Sequence, residues 1–108
     1  MTKITRGEAE RIAKHRAALM HHLKQTLIYR LPLRLKADEI ADDTALFGTG
    51  LGLDSVDALA IAVAIEREFE VTIADEDFFT SFRSLNLIVD FLLRAQDERT
   101  LQEQEKVA

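Results

Sequence analysis

Apolar side chains recur along this chain mostly in steps of three, four and seven, the spacing of one helix face. Ile12, Leu19, Leu23, Leu27 and Leu31 form such a stripe, and Met20 and Ile28 widen it. The pattern predicts a long helix over 8–31, stopped by Pro32, which disfavours helical backbone at Leu31. Residues 33–54 read as a long loop, with Leu46, Phe47, Leu51 and Leu53 as apolar anchors onto the core. A loop this long in so short a chain points to function. A second helix is expected over 55–69, burying Val56, Leu59, Val63 and one of Ile65 or Phe69. Every residue from Ala58 to Ile65 is apolar, so part of that run must face water or a partner. A short helical turn is expected at Asp75 to Ser81. Ser84 is placed to cap a last helix carrying Leu85, Leu87, Ile88, Phe91 and Leu92. The charged tail 96–108 reads as a frayed continuation of that helix. Val71, Thr72 and Ile73 are β-prone but too few to found a sheet. Phenylalanines 69, 78, 79, 82 and 91 are expected in the core. The sum is an all-α four-helix bundle, three long helices and one short, with a long loop between the first and second.

Composition narrows what such a bundle can do. The 108 residues suit a single domain, and 47% apolar content sets the chain apart from a disordered one. With no cysteine, disulfides, thiolate metal sites and a cysteine nucleophile are excluded, so sulfur chemistry must come from an added group. The first residues lack the apolar segment of a signal peptide, and no run is long enough to span a bilayer, so the cytosol is expected. Charge is unevenly spread. Residues 1–36 hold nine of the 14 basic residues and two of the 19 acids, a net of +7, and the remainder carries −12. A basic helix packed beside acidic ones accounts for this. Nucleic-acid binding through Lys3, Arg6, Arg11, Lys14, Arg16 and Lys24 is the weakest reading, because the acidic remainder repels phosphate and exposed aromatics for stacking are missing. His15, His21 and His22 share the first helix without the further ligands zinc needs. Asp38, Glu39, Asp42 and Asp43 lack the spacing of a calcium loop. No metal site is expected.

The most informative stretch runs from Gly50 to Asp57, Gly-Leu-Gly-Leu-Asp-Ser-Val-Asp, where the loop opens into the second helix. Asp54 or Ser55 can accept hydrogen bonds from the free N–H groups of the first turn. Asp54 and Asp57 suit the positive end of the helix dipole. The same end favours an attached phosphate, so a phosphate ester on Ser55 sits in a supportive place. Residue chemistry alone favours a plain helix cap, and spacing and periodicity do not identify a cofactor.

Leu53-Asp54-Ser55-Val56 resembles the Asp-Ser-Leu attachment motif of acyl carrier proteins. The flanks are similar too: Asp42-Asp43-Thr44-Ala45-Leu46-Phe47 before the motif, residues 57–73 over the second helix, and Asp75-Glu76-Asp77 with 82–92 over the third and fourth. The likeness covers about residues 8–93 of a single carrier domain, 1–108. It implies 4'-phosphopantetheine, taken from coenzyme A by a phosphopantetheinyl transferase and held covalently on Ser55, with Asp54 supporting the modification. It implies a carrier that is not an enzyme, with no catalytic residues of its own. Its partners are the transferase and acyl-transferring, condensing and acyl-modifying enzymes, and it is expected as a monomer that neither binds nucleic acid nor spans a membrane. Partner-binding candidates are Asp57, Val56, Val63, Glu66 and Glu68, within an acidic set that includes Asp54 and Glu70.

The chain departs from that pattern in places. Ala60 stands where many fatty-acid carriers have a partner-binding Glu, and Arg67 adds a positive charge among acids. Gly48-Thr49-Gly50-Leu51-Gly52 is longer and richer in glycine than the usual loop, and the first helix is long and basic. These features resemble a specialised carrier more than a housekeeping one. Docking by apolar contact is then expected to matter more than docking by charge. Peptidyl carriers share the bundle, but their serine follows Gly-Gly-x, whereas Gly52-Leu53-Asp54 precedes it here, which ranks acyl above aminoacyl cargo. The reading from another class is a helical interaction module that docks through the second helix with no prosthetic group.

Overall fold

A computed structural model describes residues 5–30, 36–46 and 51–107, apart from the side chains of Ser55, Phe79 and 101–107. Lys3, Leu31, Pro32, Phe47, Gly48, Thr49 and Gly50, singled out above, lie outside the described residues. Four α-helices follow in order, α1 (Arg6–Arg30), α2 (Ser55–Phe69), α3 (Asp75–Ser81) and α4 (Leu85–Val107), with a 3-10 turn at Ala37–Glu39 in the long loop. No strand occurs among the described residues, only an isolated bridge between Ala45 and Ser84. The fold is the all-α bundle expected.

α1 begins two residues before the expected start because Thr5 caps it: the Glu8 N–H donates to Thr5 Oγ1 at 3.1 Å. Leu19, Met20, Leu23 and Leu27 are buried as the stripe requires. Ile12 is not, and stands 56% exposed. The helix outruns the bundle at its N-terminal end, and periodicity carries no information about where the neighbours stop.

α1 packs against α2 and α4. His22 meets Glu68, while Arg30 shares a groove with Val56, so α1 and α2 run antiparallel. Polar contacts fix the packing. Arg16 donates to Asp90 at 2.6 Å and to Asn86 Oδ1 at 3.1 Å on α4, and the largely buried Lys24 donates to Asp42 at 2.7 Å. The basic segment is therefore partly tied to the acidic body by charge-assisted bonds. The histidines are also engaged: His15 Nε2 lies 3.0 Å from Gln96, and the ring of His22 packs 4.5 Å from that of Phe69.

The loop is tied down, not loose. Leu46 is fully buried, and Leu51 and Leu53 pack against the core. The Leu46 N–H donates to the Arg83 carbonyl, while the N–H groups of Leu85 and Asn86 donate to the carbonyls of Thr44 and Asp42. The loop thus satisfies donors that the first turn of α4 leaves without partners in its own helix. Ser84 Oγ takes another, from Leu87 at 3.3 Å, as a cap should. α3 matches the short turn expected. α4 continues as helix through Val107, so the tail extends the helix.

Leu23, Leu27, Leu46, Ile61, Ile65, Phe82, Leu85, Ile88 and Leu92 form the centre of the core. Phe69, Phe82 and Phe91 are buried there, and Phe78 packs on its edge, 5.1 Å from the Phe82 ring. On α2 the expected buried side is wrong. Val56, Leu59 and Val63 are 74%, 66% and 39% exposed, and the inward side chains are Ala58, Ile61, Ala62, Ile65 and Phe69. Two apolar stripes at helical spacing run along this helix, and the packing of α1 and the loop selects which one is buried. Both Ile65 and Phe69 prove buried, where one was expected.

Candidate functional site

The loop delivers Ser55 as the first residue of α2 through three successive restraints. The Leu53 N–H donates to the Leu46 carbonyl at 3.1 Å, which hangs this segment on a fully buried side chain. Gly52 then turns at φ 66°, the left-handed region that residues with a Cβ avoid. Asp54 follows in extended backbone and caps the helix.

The cap is reciprocal. The Asp57 N–H donates to Asp54 Oδ1 at 2.8 Å, and the Asp54 N–H donates to Asp57 Oδ2 at 3.2 Å. This is a capping box with aspartate in both places. Of the two capping candidates in the sequence, Asp54 holds the role, and Ser55 stands at the first helical position. The cap uses the N–H of Asp57 and not those of Ser55 or Val56. Those two belong to the donor-rich, positively polarised end where an anion is favoured. The residues present therefore fit a phosphate esterified at Ser55.

The partner-binding candidates separate into two sets. Val56 and Val63 lie on the outward face of α2 with Leu59, Ala60 and Arg67. The acids do not share that face freely. Asp57 is half-buried in the capping box. Glu66 is half-buried and accepts the Ile73 N–H at 3.1 Å, which pins the connection to α3. Glu68 lies 2.8 Å from His22 Nε2 on the α1 side. Glu70, in the left-handed conformation that ends α2 (φ 54°, ψ 48°), takes Arg99: its carbonyl accepts at 2.8 Å and its carboxylate at 3.3 Å.

Two grooves border the outward face. One, of about 400 Å³, lies between α2 and α3 and is lined by Leu59, Ala62, Val63, Glu66, Ile73 and Phe78. The other, of about 410 Å³, includes Val56, Leu59, Ala60, Val63 and both Arg30 and Arg67. Arg30 was not foreseen. It sits 26 residues before Val56 in sequence, and only the antiparallel packing of α1 brings it there. No cluster of three or more His, Asp or Glu suited to a metal occurs among the described residues. No helix among them is long and apolar enough to cross a membrane.

A family model described as the phosphopantetheine attachment site matches residues 18–92, more than half of the chain. The match holds α2, α3 and the loop whole, and leaves out the exposed start of α1 and the last turns of α4. The chain is also similar to a mitochondrial acyl carrier protein of Neurospora crassa, 38% identical over 55 residues, which is 51% of this chain and 40% of that protein. A protein named as a mitochondrial acyl carrier protein in Schizosaccharomyces pombe is 50% identical over 34 residues, 32% of this chain and 30% of its own length. The chain thus spans less than half the length of these relatives. Bundle, capped serine and family match agree: the chain belongs to the phosphopantetheine-attachment family of acyl carrier proteins, which hold covalent 4'-phosphopantetheine and are carriers, not catalysts.

Proposed function

We propose that the chain carries acyl groups as thioesters on 4'-phosphopantetheine attached to Ser55, and delivers them to partner enzymes. The observation that carries this reading is the position of Ser55: first residue of α2, directly after a reciprocal Asp54–Asp57 cap and inside the segment the family model matches. In loading, the Ser55 oxygen attacks the pantetheine-side phosphorus of coenzyme A. The phosphoanhydride bond breaks, 3',5'-adenosine bisphosphate leaves, and the serine proton passes to the base of the transferase. The bound arm supplies a terminal thiol that forms the thioester. The chain's own part is to present Ser55 and to favour its phosphate at the helix end. Asp54 contributes by holding the first turn in place. The groove between α2 and α3 offers apolar shelter to the first carbons of a cargo chain.

The transferase and the acyl-transferring, condensing and acyl-modifying enzymes are the proposed partners, in fatty-acid, polyketide-like or specialised lipid synthesis. Ala60 and Arg67 favour a specialised pathway, because one lacks the acid that many fatty-acid carriers have there and the other sets a positive charge among the acids. Acyl cargo ranks above aminoacyl on the residues preceding Ser55. We keep the chain as one carrier domain and a monomer. The relatives are named as mitochondrial, which sets the mitochondrion beside the expected cytosol. Imaging of the tagged full-length protein decides between them.

The test is intact mass after incubation with coenzyme A, magnesium and a broad-specificity transferase. Wild type should gain one phosphopantetheine. Ser55→Ala should gain none and unfold close to wild type, since Asp54 and not Ser55 provides the cap. A folded wild-type chain that gains no mass with any transferase tried would hand the lead to the unmodified interaction module, whose binding survives Ser55→Ala.

A further inference from the structure

The exposed side of α2 is apolar along Val56, Leu59 and Val63, and the charged side chains that line the groove toward α1 are both arginines. Val56, Leu59 and Val63 stand out from the bundle, and Arg30 and Arg67 border the groove they line. The acids of this helix and its cap are engaged within the molecule: Asp57 on the Asp54 N–H, Glu66 on the Ile73 N–H, Glu68 with His22 and Glu70 with Arg99. Among the described residues Arg67 makes no hydrogen bond or ion pair, and Arg30 makes only a stacking contact, 5.5 Å over the exposed Tyr29 ring. Its apolar side chains gain from cover, and its two guanidinium groups are ready for carboxylates.

We infer that this face docks a partner protein that presents an apolar ridge bordered by Asp or Glu, with Arg30 and Arg67 pairing to those carboxylates. The inference rests on the carrier reading only in that the groove begins one residue after Ser55. The charge lining this groove has the opposite sign to the acidic face that the family resemblance implies, so a partner whose basic groups meet the groove is disfavoured by like charge. A second copy of this chain is a poor occupant. A symmetric pairing places the same patch on both sides and sets arginines against arginines. The apolar stripe supplies affinity, and the arginines supply register and the choice of partner.

The test uses two synthetic helical peptides with the same leucine positions, one flanked by Glu and the other by Lys. Each is titrated into the full chain, labelled with ¹⁵N, after incubation with coenzyme A, magnesium and a broad-specificity transferase. The Glu peptide should shift the amides of 56–67 and bind more tightly than the Lys peptide. Arg30→Glu with Arg67→Glu should weaken the Glu peptide about tenfold or more and strengthen the Lys peptide. The inference falls if wild type prefers the Lys peptide, if neither peptide shifts 56–67, or if the shifts map elsewhere. It falls equally if sedimentation shows a dimer that the arginine changes dissolve. Should the double variant misfold by circular dichroism, the two-peptide comparison on wild type still decides. Intact mass is read in parallel. Loading without peptide preference overturns the docking inference alone, and peptide preference without loading overturns the carrier reading alone.

Discussion

Both faces of α2 carry an apolar stripe, and the two stripes have opposite fates. Inward, Ile61, Ile65 and Phe69 step by four into the core, with Ala58 and Ala62 letting neighbours approach. Outward, Val56, Leu59 and Val63 follow the same helical spacing and meet solvent. Apolar content sets how much surface a helix can bury, and the neighbouring elements decide which side does so. The outward stripe is left facing solvent, and its stability contribution should be small.

That contrast can be broken by substitution. The largest expected effect is inward: Ile61→Ala or Ile65→Ala should each cost about 2–5 kcal/mol in urea unfolding, and so should Leu46→Ala in the loop. A loss below about 1 kcal/mol at Ile61 and Ile65 would mean that the helix is buried on the other side. Next comes the cap between the faces. Asp54→Ala should cost about 0.5–2 kcal/mol by the same measurement. It should also slow transfer of phosphopantetheine to Ser55 in a timed mass assay, and an unchanged rate would remove Asp54 from the loading site. The smallest effect is outward: Val56→Ala and Leu59→Ala should stay within about 0.5 kcal/mol of wild type. A core-sized loss there would remove the basis for a free docking face.

The comparison also marks what is legible in a single sequence. The limits of α2 and α3 can be read because caps and breakers are local: an Asp-Ser pair opens α2, and acids fill the first turn of α3. Leu46 can be read as an anchor because large apolar side chains in an otherwise polar loop have few other uses. The buried side of α2 cannot, since a run apolar from Ala58 to Ile65 points hydrophobic groups in every direction. The exposure of Ile12 depends on how far the other helices reach. Arg30 joins the site through packing between elements separated by the whole loop. At the site, the motif names Ser55 and Asp54, while the division of labour between them is geometric: the cap belongs to Asp54. The acids were legible as a set, but their engagement with His22, Ile73 and Arg99 was not.

The stitching of the loop onto α4 has a consequence for motion. Amides of Leu46, Leu85 and Asn86 cross between the two segments, and Leu53 hangs from Leu46. The mount of Ser55 is therefore hinged on a helix that begins 30 residues later. Segments joined in this way tend to open as a unit. In hydrogen exchange, the amides of Leu46, Leu53, Leu85 and Asn86 should share one opening free energy and lose protection together when Leu46 is shortened to Ala. A carrier built so keeps its loading end still by borrowing rigidity from the far end of the chain, and whatever loosens the start of α4 should be felt at the serine.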